Sequence, residues 1–209
     1  MDSQVIDAIA GGVRQIVICG AGLDDRALRF RTAGVRFFEV DHPVTQADKA
    51  MRLRALGAAE HEPTLVACDL QAGSVREALA EHGHLRHEAT LFLCEGLLVY
   101  LDEQACSRLL ADLAARAAAG SALAVTLATH SSDAPSAEVV ELANARRRSA
   151  AAEPWRTILP AGEHLAMLSA AGWTVTSVAD SPSASDDVSH GRNSLLVTAV
   201  PASPFAELL

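Results

Sequence analysis

The chain has 209 residues, half of them hydrophobic, and is long enough to bury roughly 70% of its unfolded surface in one domain, read here as 1–209. Its 17 Lys+Arg against 26 Asp+Glu leave a formal charge of −9, which argues against nucleic acid as a partner, since that affinity rests on clustered cations. Apolar runs fall short of the about 18 residues of a membrane span, and the N-terminus carries two acids before any base, unlike a signal peptide. The expectation is a cytoplasmic protein with no membrane partner.

Short, near-continuously apolar runs then alternate with helical patterns. "QIVICG" (15–20), "RFFEVD" (36–41), "TLVACDL" (64–70), "TLFLCE" (90–95) and "ALAVTLAT" (122–129) read as strands buried on both faces. Helices are expected between them, near 24–33, 43–57, 74–83 and 102–119. In the last of these Leu109, Leu110 and Leu113 fall at helical spacing and Asp102 stands at the N-cap. Such alternation implies right-handed crossovers and a parallel sheet with helices on both faces. The final third continues with a helix in "AEVVELANARRRSAAAE", a loop in "PWRTILP" and a helix in "AGEHLAMLSAAG" ended by Gly172. Two β-rich runs close the chain, "WTVTSVAD" (173–180) and "NSLLVTAV" (193–200), joined by a polar stretch suited to a loop between antiparallel strands. The reading is seven strands, mostly parallel, with an antiparallel ending that fits a methyltransferase-like sheet better than a dinucleotide-binding one.

Ligands on open parallel sheets bind beyond the carboxyl ends of the strands, near the point where strand order reverses. The first strand ends in Gly20-Ala21-Gly22, the second in Glu39-Val40-Asp41, the third in Asp69-Leu70 and the fourth in Glu95-Gly96. Together these make a nucleoside-sized constellation. The glycines let the backbone turn sharply and approach a ligand. Asp41, about 20 residues beyond Gly20, can accept both ribose hydroxyls. Glu39 is read as facing away from it. Asp69 can accept from an adenine amino group, Leu70 can pack on the ring, and Glu95 can engage an α-amino group. In "GAGLDD", Asp25 replaces the third glycine of a dinucleotide fingerprint. A diphosphate beside Asp24, Asp25, Asp69 and Glu95 would meet like charge, so cationic S-adenosylmethionine suits the cleft better than NAD.

Other residues have plainer readings. Arg26 and Arg29 are expected to pair with acids on neighbouring elements, and Arg146-Arg147-Arg148 to form a solvated helix face. Cys19, Cys68, Cys94 and Cys106 lack zinc-like spacing and read as reduced core thiols, with no metal site expected. His42 is placed beside the adenine. His130 is either a surface-loop residue or a general base. Trp155 and Pro154 line a substrate wall or pack a loop.

At these residues the chain resembles the leucine carboxyl methyltransferase family of class I S-adenosylmethionine-dependent methyltransferases, most of all its bacterial branch. The matching motifs are "QIVICGAGLDDRALRF", "FFEVDHP", "ACDL", "LFLCEGLLVYL", "LSAAGW" and "GRNSLLVTA". The resemblance implies a Rossmann-like sheet and cofactor contacts at Gly20, Ala21, Gly22, Asp41, Asp69, Leu70 and Glu95. It also implies that Tyr100, otherwise readable as a packing residue, lies near the methyl-transfer cleft. Family members usually carry several dozen more residues before the first strand, forming a lid with a basic residue for the methionine carboxylate. Here residues 1–14 precede it, so the expectation is a lid largely absent, with the cleft open or completed by a homo-oligomer or partner. Three functions follow. The first is an O-methyltransferase acting on a carboxyl or hydroxyl group of a small molecule, with carboxyl favoured because a carboxylate needs no general base whereas a phenol, with pKa near 10, would gain from one. The second is a non-catalytic cofactor-binding or partner subunit, and the third an NAD-dependent oxidoreductase. No catalytic residue is identified.

Overall fold

The structure, a computed structural model, describes residues 1–57, 62–131, 133, 135–146, 153–180 and 192–203. Its seven strands are β1 (Gln15–Cys19), β2 (Arg36–Asp41), β3 (Thr64–Ala67), β4 (Thr90–Cys94), β5 (Ala122–His130), β6 (Trp173–Asp180) and β7 (Arg192–Pro201). They form one sheet in the order β3-β2-β1-β4-β5-β7-β6. The first five strands pair in parallel, while β7 runs antiparallel to both β5 and β6. The mostly parallel, Rossmann-like sheet expected from the sequence is therefore present, with its antiparallel strand slotted between β5 and β6. Strand order reverses between β1 and β4, and the carboxyl ends of strands at such a reversal are where open α/β sheets bind ligands.

The helices are α1 (Asp2–Ala10), α2 (Arg26–Arg29), α3 (Pro43–Ala55), α4 (Val75–Glu81), α5 (Glu103–Ala114), α6 (Ser136–Arg146) and α7 (Ala161–Ala170), with a 3-10 turn at Leu98–Tyr100. Strand alternation sorts the core into two layers. Val17, Cys19, Phe38, Val40, Phe92 and Cys94 pack with Val75 and Leu79 of α4, Leu109, Leu110 and Leu113 of α5, and Leu168 of α7. Ile16, Ile18, Phe37, Leu91 and Leu93 face the other way, against Val5 of α1 and Ala27 of α2. Each fully buried side chain of this size contributes roughly 1.5–3 kcal/mol. All four cysteines are buried and free.

α1 is not among the helices expected from the sequence. It forms because Val5 and Ile9, four residues apart, bring one apolar face onto Ile16 and Ile18. α2 shrinks from the expected ten-residue element to one turn, since Gly34 (φ +79°) and the bend before it redirect the chain into β2. Arg147 and Arg148 of the basic run, and most of the polar connection after β6, lie outside the described residues. Among the described residues no helix is long and apolar enough to cross a membrane.

The amino-terminal edge of the sheet is closed by polar groups that satisfy one another. The Gln15 amide donates to Leu85 O at 2.8 Å and to Thr90 Oγ1 at 3.2 Å, and its oxygen accepts from Leu85 N at 2.8 Å and from Arg36 at 2.7 Å. Thr90 N donates to Ser121 Oγ, and His84 Nε2 meets Thr90 Oγ1 at 3.0 Å.

Candidate functional site at the carboxyl edge of the sheet

The β1 turn is built by two glycines with left-handed backbone, Gly20 at φ +66° and Gly22 at φ +45°. A Cβ on Gly20 would lie 2.9 Å from Leu97 Cδ1, whereas Gly22 has open space around it. Between them Ala21 is buried. Asp41, at the end of the adjacent strand, reaches across the turn. Its Oδ2 accepts from Gly22 N at 2.7 Å and its Oδ1 from His42 N at 2.6 Å. Each oxygen uses one lone pair on these backbone groups and retains acceptor capacity for a further donor.

Glu39 does not face away from Asp41. Residues two apart on a strand share a face, and Glu39 lies one pleat deeper, with its side chain 1% exposed and 2.5 Å from Lys49 Nζ of α3. Depth, not direction, separates the two acids. Burial outweighs the lysine's attraction and pushes the Glu39 carboxyl up to about 7. Lys49 also donates to Asp24 O at 2.7 Å, tying the glycine turn to α3.

At the end of β3 the exposed Asp69 forms a tight loop. Its Oδ1 accepts from Gln71 N at 2.9 Å and its carbonyl from Gly73 N at 2.6 Å. A Cβ on Gly73 would meet Asp69 O and Cys68 Sγ, both at 2.9 Å, so this position also requires glycine. Gly73 belongs to no motif, and its one mark in the sequence is its place directly before Ser74, the N-cap of α4. Leu70 is buried in the core layer of α4 and α5. Gln71 spans to the N-cap of α5, donating to Asp102 Oδ2 at 2.5 Å and accepting from Asp102 N at 3.2 Å.

Glu95, just beyond β4, is partly exposed, and its Oε2 accepts from Arg26 Nη2 at 2.6 Å. The same guanidinium binds Asp24 at 2.5 Å and Asp2 of α1 at 2.7 Å. Arg29 joins Asp2 and Asp25, each at 2.7 Å. Both arginines thus pair with acids on neighbouring elements, as expected, and these partners hold the Asp2 carboxyl down to about 2. The pairing also corrects the charge argument against a diphosphate. Asp24, Asp25 and Glu95 each carry an arginine, so the anionic character of the edge rests more on Asp41 and Asp69.

Strand register aligns these groups. Cys19 pairs with both Val40 and Cys94, so Gly20, Asp41 and Glu95 each follow the same rung, and Asp69 lies two residues beyond Ala67, the partner of Asp41. The sequence-derived set is brought to one edge. The candidates further along have other surroundings. His42 is exposed and caps α3, its Nδ1 accepting from Val44 N at 3.3 Å. His130 is not on a surface loop: it is the last residue of β5, 6% exposed, with Nε2 3.0 Å from Ser136 Oγ. Tyr100 ends the 3-10 turn, half-buried. Arg156 and Thr157 lie against that turn, with Arg156 N donating to Val99 O at 2.7 Å and Thr157 Oγ1 to Leu101 O at 2.6 Å. Asn144 clamps both backbone groups of Trp155 at 2.7 and 2.8 Å, which favours packing of this loop, while Pro154 is exposed. His164, overlooked in the sequence, is buried with Nε2 3.0 Å from Ala128 O, and burial lowers its pKa.

A seven-stranded sheet with this order and an antiparallel β7 has the methyltransferase fold. It superposes on a magnesium protoporphyrin IX methyltransferase of Synechocystis with bound SAH at a TM-score of 0.61, with 15% identity, covering 96% of this chain and 81% of that one. It matches a geranyl diphosphate methyltransferase in complex with SAM at 0.67, with 12% identity, 96% and 85% being covered. The sequence model of the leucine carboxyl methyltransferase family matches residues 1–114, and the chain belongs to that family. A relative from Streptomyces coelicolor, whose name places it among S-adenosyl-L-methionine-dependent methyltransferases, is 43% identical over 129 residues, 61% of this chain and 45% of its own length. One of like name from Mycobacterium avium is 32% identical over 185 residues, 85% of this chain and 60% of its own. The chain spans about half the length of the curated relatives it matches.

Proposed function

We propose that this protein is an S-adenosylmethionine-dependent O-methyltransferase, with residues 1–209 as its methyltransferase domain and a small molecule as acceptor. The observation that carries the reading is the Gly20–Gly22 turn bonded to the Asp41 carboxylate at the strand-order reversal. The residues fit the cofactor. Asp41, fixed by two backbone N–H groups, has acceptor capacity for ribose hydroxyls; Asp69 would take the adenine amino group beside Leu70, and Glu95 the α-amino group. The turn at Gly20, Ala21 and Gly22 would bring backbone close to the methionine portion. When bound, the cofactor supplies an electrophilic methyl group on a sulfonium.

The chain's own part is to hold an acceptor oxygen in line and exclude water, since near-attack geometry supplies most of the acceleration in such displacements. A carboxylate acceptor is anionic at neutral pH and needs no proton removed. His130, already engaged with Ser136 and buried, is poorly placed to serve a phenol. Both points support a carboxyl acceptor, with Tyr100 at the cleft. Four free, buried thiols support a reducing, cytoplasmic setting.

Calorimetric titration with S-adenosylmethionine, S-adenosylhomocysteine and NAD tests the reading. Micromolar binding of the first two without NAD is expected, and NAD binding in their place overturns it. Tight cofactor binding with no transfer to any of a panel of carboxylic acids and phenols would instead identify a non-catalytic binding subunit.

A further inference from the structure

We infer that Arg26 is a positioning residue that presents Glu95 to the amino-acid end of the cofactor and links it to helix α1. The inference rests on the proposed engagement of Glu95 with the α-amino group. Glu95 follows β4 directly and stands just before Gly96, a left-handed residue with no side chain to pack. A carboxylate in such a place has several rotamers open to it. Arg26 removes that freedom: its Nη2 holds Oε2 at 2.6 Å, leaving Oε1 for another donor.

The guanidinium is itself fixed. Its Nε binds Asp2 at 2.7 Å and its Nη1 binds Asp24 at 2.5 Å, and its side chain is only 13% exposed. Asp24 in turn accepts from Arg26 N through Oδ1 at 2.8 Å, and its carbonyl accepts from Lys49. A planar fork that serves three carboxylates from three directions is within the reach of arginine but not of lysine, whose ammonium is a point charge. The three partners come from α1, the glycine turn and the end of β4. The orientation of Glu95 therefore depends on α1, whose Asp2 carboxylate is shared between Arg26 and Arg29.

The test compares S-adenosylhomocysteine, which carries the amino-acid tail, with 5′-methylthioadenosine, which lacks it. In the wild type the first is expected to bind more tightly. Arg26→Gln should lower affinity for S-adenosylhomocysteine about tenfold while leaving methylthioadenosine affinity unchanged, as loss of one oriented charged contact predicts. Glu95→Gln should do the same, and the double variant should lose no more than either alone, because the two act as one unit. Arg26→Lys should restore only part of the loss. If Arg26→Gln does not fold, Asp2→Asn at the partly exposed start of α1 carries the same comparison. An unchanged ratio of the two affinities in these variants, or additive losses in the double, overturns the inference and leaves the cofactor reading standing. A wild type that binds methylthioadenosine as tightly as S-adenosylhomocysteine removes the Glu95 reading and the inference with it.

Discussion

At the amino-terminal edge, Gln15, His84, Thr90 and Arg116 are buried and bonded to one another and to nearby backbone, the Gln15 amide using both its donors and its acceptor on protein partners. At the carboxyl edge of the same sheet, Asp41, Asp69 and Glu95 are partly or wholly exposed, and each carboxylate shows fewer protein bonds than it can accept. Both edges are polar, yet only one is closed. A polar group whose partners are all internal serves the fold, whereas one fixed by part of its valence and open on the rest is preorganised for a ligand. Disturbing the first edge should show in stability, and disturbing the second in affinity.

The largest expected effect is the response to pH. Burial, reinforced by the Arg116 charge, pushes His84 down to about 4 from its ordinary 6.5. A depressed folded value means that the stability it contributes is fully present above pH 6.5 and lost as pH falls through 4. At about 1.4 kcal/mol per unit this amounts to about 3 kcal/mol. Glu39, beneath the open edge, behaves oppositely. Raised to about 7, it favours the fold below pH 4.5, and that contribution is lost as pH rises through 7. Urea unfolding across this range should give a shallower acid limb for His84→Gln and a flatter neutral limb for Glu39→Gln. Curves parallel to the wild type would mean that neither buried group titrates as its surroundings imply.

Next is Gln15→Leu. It strands Leu85 N–H and removes the Gln15 amide from Thr90 at the closed edge, and should lower stability by roughly 2–3 kcal/mol, as broken buried networks do. Affinity for S-adenosylhomocysteine should not change; a parallel loss would show the two edges to be coupled. Asp41→Ala is the counterpart at the open edge. There the cost should fall on binding, about 1–3 kcal/mol or roughly 5- to 150-fold in Kd, with unfolding little altered. Unchanged affinity would refute the ribose role.

The sequence shows the sheet clearly because strands buried on both faces leave apolar runs that few other structures produce. It shows the candidate site because the topology collects whatever stands at strand ends. What it hides depends on contacts between distant residues. Arg26 meets Glu95 and Asp2 across separations of 69 and 24 residues, and no local pattern encodes that. "TLVACDL" reads as a strand to 70, but pairing stops at Ala67 because Asp69 closes its own loop. His130 reads as a loop residue because the sequence does not reveal that β7 lies beside β5 and extends the ladder to it. Lys49 and Gln46 of α3, two polar residues of an expected helix, are buried because Glu39 and its carbonyl bind them, a contact no local pattern marks.

The smallest effect probes how the open edge is held. Gln71 bridges the Asp69 loop and the N-cap of α5 through two side-chain bonds to Asp102. It is a closed pair inside the open edge, so the comparison assigns it to support and not to recognition. Gln71→Ala removes both bonds without touching Asp69 itself, whose loop is still closed by its own turn. At about 0.5–1 kcal/mol in binding, a two- to fivefold rise in Kd for S-adenosylhomocysteine is expected as Asp69 and Leu70 gain freedom. The same variant should weaken adenosine by the same factor, because the Asp69 loop is proposed to meet the base and not the amino-acid tail. A loss confined to ligands that carry the tail would place this loop at the other end of the cofactor and require the adenine role of Asp69 to be withdrawn.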